Sequence, residues 1–81
     1  MLREFFRPVL ILNQMMQVRL NSVEQPVPMN CTVAELLKYL GTDPKTLAVE
    51  LNEQVVPRSE HGTTVLQPGD LIEIVTFVGG G

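Results

Sequence analysis

Thr32-Val33-Ala34-Glu35-Leu36-Leu37-Lys38-Tyr39-Leu40-Gly41 is the stretch on which the fold turns. Thr32 followed three residues later by Glu35 is a capping box, in which the threonine hydroxyl and the glutamate carboxylate each satisfy a backbone N–H that the first helical turn leaves unpaired. Val33, Leu36, Leu37 and Leu40 then fall at i, i+3, i+4 and i+7, a single apolar stripe on a helix. Gly41 stops it, and Pro44 lies just beyond. An amphipathic helix of this length must bury its stripe against something, and from Met16 onward no second helical pattern follows, while residues 1–15 leave a short extra strand or helix open. The partner is therefore a sheet.

Working upstream, Met16, Val18 and Leu20 alternate with Gln17, Arg19 and Asn21, the period of a half-buried strand. Asn21–Pro26 is polar and turn-rich. Val27, Met29 and Cys31 alternate with Pro28 and Asn30, which predicts a second strand forming a hairpin with the first. Pro28, lacking an N–H, belongs where that donor would face away from the ladder. Cys31, in phase with Val27 and Met29, reads as a small buried hydrophobe.

Downstream, Leu47, Val49 and Leu51 alternate with Ala48, Glu50 and Asn52. Asn52-Glu53-Gln54 turns the chain into a short strand at Val55-Val56, which Pro57 ends. Residues 58–64 are polar and loop-like. In Gln67-Pro68-Gly69-Asp70, proline and glycine occupy the central positions of a type II turn. Leu71–Val78 is a long strand rich in β-branched residues. Its alternation assigns Ile72 and Ile74 to the core under the helix. Leu71, Val75 and Phe77 then lie on the face that one helix leaves uncovered, an apolar patch rimmed by charge and a candidate partner-docking surface that Val78 extends. A hairpin, one helix, then further strands close into one sheet when the last strand returns beside the first, parallel to it, with the helix in the crossover. That arrangement is the β-grasp, or ubiquitin-like, α+β fold: a mixed sheet with one covering helix.

Size and composition fit a single small domain. The chain has 81 residues, 44% hydrophobic, without tryptophan and with one tyrosine and three phenylalanines, so its core is aliphatic. A net charge of -3 with scattered Lys and Arg argues against nucleic acid and favours a basic protein partner. A lone cysteine excludes an internal disulfide and suits the cytoplasm. No apolar run is long enough to span a bilayer. The run Val9–Leu12 is too short for a signal peptide and has no small-residue cleavage site after it. Residues 1–15 lack a clear period and read as an extension, 16–78 as the domain and 79–81 as a flexible tail. An alternative for the extension is that Phe5, Phe6, Val9 and Ile11 cover the open face of the sheet. His61 stands alone without partners at ligand spacing, a loop residue with no metal predicted. Glu50, Glu53, Glu60, Asp70 and Glu73 read as solvated surface. No nucleophile–base pair, carboxylate pair or phosphate-binding loop marks an enzyme.

The sequence closes on Val78-Gly79-Gly80-Gly81. Extended, three glycines reach roughly 10 Å, and without Cβ atoms they thread a narrow channel. A carboxyl group on Gly81 is then the working group, with Gly79 and Gly80 giving clearance.

From Met16 onward the chain resembles the ThiS family, the sulfur carriers of thiamine biosynthesis. The resemblance rests on Met16-Gln-Val-Arg-Leu-Asn21, Thr32-Val-Ala-Glu-Leu-Leu37, Val49-Glu-Leu-Asn-Glu-Gln-Val-Val-Pro-Arg58, Leu66-Gln-Pro-Gly-Asp-Leu-Ile-Glu-Ile-Val75 and Phe77-Val-Gly-Gly-Gly81, in that order. It implies that the chain is a protein co-substrate rather than an enzyme and binds no cofactor itself. An E1-like adenylating enzyme would use ATP to adenylate Gly81. A cysteine-derived persulfide would convert it to a thiocarboxylate, and thiazole synthase would accept the sulfur. Other carriers share this tail chemistry: the small subunit of molybdopterin synthase, and carriers for tRNA thiolation or cysteine synthesis. Thr76-Phe77-Val78 stands where the molybdopterin subunit usually has a proline-rich segment, which favours the thiamine carrier. A ubiquitin-like modifier and a plain interaction domain are the alternatives from other classes.

Overall fold

The computed structural model describes residues 14–77. Strands β1 (Met15–Leu20) and β2 (Val23–Pro28) form a hairpin, helix α1 (Val33–Leu40) follows, and β3 (Leu47–Leu51), β4 (Gln54–Val56) and β5 (Leu71–Thr76) complete one sheet. Its strand order is β2-β1-β5-β3-β4. β5 runs parallel to β1 and antiparallel to β3, so the last strand does return beside the first with α1 in the crossover. This is the β-grasp arrangement. β1 begins at Met15, one residue before the boundary drawn from sequence. Residues 1–13 of the proposed extension, Val78 and the glycine tail lie outside the described residues.

The helix forms as its sequence dictates. Thr32 Oγ1 accepts from Glu35 N at 3.1 Å, and Thr32 N donates to Glu35 Oε1 at 2.9 Å. The two other first-turn donors reach the loop before β5: Val33 N to Thr64 O at 2.9 Å and Ala34 N to His61 O at 2.8 Å. The four N–H groups that a helix start leaves open, from Thr32 to Glu35, are thus all paired, and Leu36 N to Thr32 O begins the intrahelical ladder. At the other end Gly41 takes φ 74°, Gly41 N donates to Lys38 O and Thr42 N to Leu37 O, a Schellman motif.

Val33, Leu36 and Leu37 of α1 pack with Met16, Val18, Val27, Cys31, Leu47, Val49, Leu66 and Ile72 in one buried cluster. Leu20, Leu40, Leu51 and Ile74 border it. Every strand residue in the cluster lies on the side of the sheet that α1 covers, as the period-2 alternation predicts.

Two features differ from the sequence reading. The β1–β2 turn is only Asn21-Ser22, both left-handed (φ 49° and 72°), and β2 starts at Val23 rather than Val27. A two-residue turn with both central residues at positive φ is the type that matches strand twist. Met29 consequently falls past the strand and is 45% exposed, while Cys31 is buried. Met29 N donates to Gln14 O at 3.1 Å, which fixes the alternation of the ladder. Pro26 and Pro28 then occupy non-hydrogen-bonded positions on a strand at the edge of the sheet, where a missing N–H costs nothing. The second turn is likewise Asn52-Glu53 (φ 51° and 71°), with Gln54 already in β4.

Candidate functional site: the open face and the base of the tail

β5 is held at both ends by groups outside its own ladder. At its start, Gly69 takes φ 84° in the Gln67–Asp70 turn, with Asp70 N bonded to Gln67 O at 3.1 Å. The Asp70 carboxylate accepts from Gln67 N at 2.7 Å and from Asn52 Nδ2 at 3.2 Å. Asn52 in turn accepts from Leu71 N at 3.0 Å through Oδ1 and donates its own N–H to Leu71 O at 2.7 Å. Asp70, read from sequence as solvated, is therefore a half-buried structural residue that ties the β3–β4 turn to the root of β5. Against β1 the register covers only Arg19↔Leu71 and Leu20↔Ile72. Asn21 extends the contact. Its N–H reaches Ile72 O, its Oδ1 accepts from Ile74 N at 2.8 Å and its Nδ2 donates to Ile74 O at 3.3 Å. The side-chain amide substitutes for one residue of strand. At the far end Phe77 N donates to Thr46 O at 2.8 Å, so the backbone is anchored up to the residue before Val78-Gly79-Gly80-Gly81.

Between these anchors β5 presents opposite faces. Ile72 is buried and Ile74 half-buried toward α1, whereas Leu71, Val75 and Phe77 are 45%, 55% and 57% exposed on the open face. The structure brings Leu71 and Val75 onto one side of β5, with Phe77 exposed just past its end; Val78, Gly79, Gly80 and Gly81 lie outside the described residues. Pairing adds residues that sequence reading missed. Ala48 lies across from Val75, and Val55, 66% exposed, lies across from Glu50. Met15 flanks a hollow of about 540 Å³ beside Leu71.

Charge stands within the patch as well as beside it, where Arg19 is paired across from Leu71. Glu73 stands between Leu71 and Val75, and the β3–β5 register sets Glu50 directly opposite it. The apolar surface is thus divided by two adjacent carboxylates. Only strand pairing reveals this, since the two residues are far apart in sequence.

His61 differs most from its reading as a plain loop residue. It is 5% exposed, and its Nε2 lies 3.1 Å from Val56 O, the geometry of an N–H donor, while Nδ1 is buried without a partner. With its own carbonyl capping Ala34, it pins the loop beneath the helix start. Lone histidines carry no sequence signal for such a role. Among the described residues no three His, Cys, Asp or Glu side chains gather as metal ligands do. Cys31 donates to Thr32 O at 3.3 Å, and burial pushes its thiol pKa up, with the Glu35 carboxylate adding to the shift. No helix among the described residues is long and apolar enough to cross a membrane.

Residues 9–81 match the model of the ThiS family. The chain belongs to the ThiS family. The match takes in part of the stretch set apart as residues 1–15. Over 66 residues the chain is 32% identical to the sulfur carrier protein ThiS of Escherichia coli, covering 82% of this chain and the whole of that protein. The crystal structure of a thiamine biosynthesis protein (ThiS) from Geobacter metallireducens superposes with a TM-score of 0.65 at 31% identity, covering 82% of this chain and all of that one. A thiazole synthase of Paramagnetospirillum magneticum is 39% identical over 66 residues, 82% of this chain but 20% of that protein. The chain thus spans about one fifth of the length of that relative.

Proposed function

We propose that this ThiS-family chain is the sulfur carrier for thiazole formation in thiamine biosynthesis, with the carboxyl of Gly81 as the working group. A carboxylate is a poor acyl donor because its leaving group would be oxide. An E1-like adenylating enzyme joins it to AMP from ATP, releasing pyrophosphate, and AMP can then leave. The outer sulfur of a cysteine-derived persulfide attacks the acyl carbon and expels AMP. A thiol then attacks the remaining S–S bond, a disulfide forms and Gly81 is left as a thiocarboxylate. That sulfur is a nucleophile ready for transfer, and thiazole synthase accepts it. The chain does no catalysis; Gly79 and Gly80 give clearance, and Leu71, Val75, Phe77 and Val78 dock both enzymes in turn. The chain works in the cytoplasm, where its thiol stays reduced.

The observation that carries this reading is the pairing of relatives. One full-length relative is a sulfur carrier, and a thiazole synthase contains a stretch 39% identical to this chain within its own length. The fold supports it, because the backbone is anchored through Phe77 and the glycines follow after Val78.

The test is the intact mass of the chain from cells grown without thiamine, with and without alkylation. The expected species is heavier by the exchange of one oxygen for sulfur, maps to Gly81, reacts with the alkylating agent and disappears when Gly80-Gly81 is removed. A carboxylate that stays unmodified under those conditions overturns the carrier reading. Isopeptide conjugates in its place would make the chain a modifier.

A further inference from the structure

We infer that the adenylating enzyme lays an extended segment of its own along the edge of β5 that β1 leaves open at Thr76, and that this backbone pairing sets the path of the tail. The inference rests on the tail-activation step of the proposed function, which the carrier and modifier readings share.

β5 outruns β1. Their parallel register stops at Leu20↔Ile72, whereas β5 continues to Thr76. Asn52 N donates to Leu71 O and Phe77 N to Thr46 O, so the odd-numbered residues of β5 turn their backbone groups toward β3 and the even-numbered ones toward β1. On the β1 side, Asp70 O accepts from Arg19 N at 2.9 Å and Ile72 O from Asn21 N at 2.8 Å. By Ile74 the β1 backbone has turned away at Asn21-Ser22, and the Asn21 side-chain amide takes both the N–H and the carbonyl of Ile74. Thr76 is the next residue to face that way. It is exposed, its pairing with Leu47 is a non-hydrogen-bonded one, and among the described residues no hydrogen bond reaches its N–H or carbonyl.

A strand edge with an unpaired N–H and C=O is a template for another extended chain. The Asn21-Ser22 turn closes the edge upstream, so an incoming segment pairs from Thr76 onward. Onward lies the tail, and with a period of two Val78 and Gly80 continue the same edge once the chain is drawn out beside a partner. Such pairing uses backbone groups, which glycines retain, and it fixes which way the terminal carboxyl faces. Two other occupants fit less well. The residues before β1 join the sheet at Gln14, five residues before Arg19, while Thr76 lies five residues beyond Leu71, the partner of Arg19, so about 30 Å of sheet separates them. A second copy carries the same net charge of -3, which opposes association. The adenylating enzyme also holds the chain at the docking face of the proposed function, on the same strand, so a few added hydrogen bonds are enough to guide the tail.

The experiment uses the full chain and its adenylating enzyme. It reads amide exchange at Thr76 before ATP is added, then kcat and KM for pyrophosphate release with ATP. In the free chain the Thr76 amide is expected to exchange at least about tenfold faster than that of Val75, which faces β3, and to slow by about tenfold in the complex. Thr76→Pro removes the outward N–H and leaves the β3–β5 ladder whole, because that group faces away from β3. Thr76→Val removes the hydroxyl and keeps the N–H. The proline variant is expected to have a kcat/KM about fivefold below that of the valine variant, the worth of about one hydrogen bond. The exchange measurement needs no substitution, so it decides the matter even if proline at this position unfolds the chain. Equal kcat/KM in two folded variants, or a Thr76 amide that exchanges as fast in the complex as in the free chain, overturns the inference and leaves the docking face, tested separately by Leu71→Ala, untouched. A Thr76 amide already slow in the free chain overturns it too, because this chain or a second copy then fills the edge. If the unsubstituted chain is not adenylated at all, the activation step of the proposed function falls and the inference with it.

Discussion

The two faces of β5 are built from the same kinds of residue and meet different fates. Ile72 is 1% exposed under α1, and Leu71, its chain neighbour, is 45% exposed on the other side. Both are large aliphatics, so composition does not separate them; what separates them is that the one α-helix among the described residues covers one face of the sheet. The covered face carries the cluster that holds the molecule together. The open face keeps apolar side chains that this cluster does not enclose, together with two opposed carboxylates. Stability accounts for the first face. The buried cluster does not account for the second.

The sharpest way to break this comparison is to truncate one side chain on each face. Ile72→Ala is expected to cost about 2–5 kcal/mol through lost burial and the cavity left behind, a large fraction of what a domain this small possesses. Leu71→Ala is expected to stay within about 0.5 kcal/mol, as for other exposed positions. Denaturant unfolding of both variants measures the difference. Equal costs would mean that the open face is covered in the free chain, and the docking reading would lose its surface.

A smaller effect is expected from the side chains that fix β5 in place. Asn21→Ala removes the bonds to Ile74 N and O and leaves the left-handed φ of 49° at a residue less suited to it. The cost should be about 1–3 kcal/mol, the range for a backbone group left unpaired. Amide exchange at Ile74 should quicken more than at Val49, which sits in the β3–β5 ladder opposite it. Uniform quickening would show that Asn21 supports the whole fold rather than the register of one strand.

These contrasts also explain what the sequence could and could not disclose. The capping box, the helical stripe, the type II turn and the inner face of β5 rest on local chemistry and appear in the structure where their residues placed them. The β1–β2 turn was misplaced because Asn21-Ser22 lacks the glycine that usually marks a turn with two positive φ values. Glu24, Gln25 and Pro26 made the start of β2 look like loop as well. His61 looked idle because its burial depends on where residues 58–64 pack, which no periodicity encodes. The Glu50–Glu73 pair needed the strand register, and register is a property of the folded sheet. Local signals thus read the covered face well and the open face only in outline.

Cys31 sharpens the comparison at its smallest scale, because it asks whether chemistry belongs to the covered side as well. It is 4% exposed, its thiol donates to Thr32 O, and burial first and the Glu35 carboxylate second hold its pKa above the ordinary thiol value. A nucleophilic cysteine needs the opposite, a lowered pKa and access to solvent. Iodoacetamide at neutral pH should therefore label the folded chain at least about tenfold more slowly than the urea-unfolded chain. The sign of the pH effect follows from linkage. The unfolded thiol ionises first as pH rises, so the stability tied to the protonated buried thiol is whole below the unfolded pKa and declines as pH climbs toward the folded one. Cys31→Ala should flatten that alkaline decline. Rapid labelling of the folded chain would instead make Cys31 a rival to Gly81 as the residue that receives sulfur. The proposed division between a face that holds the fold and a tail that does the chemistry would then fail at a buried residue.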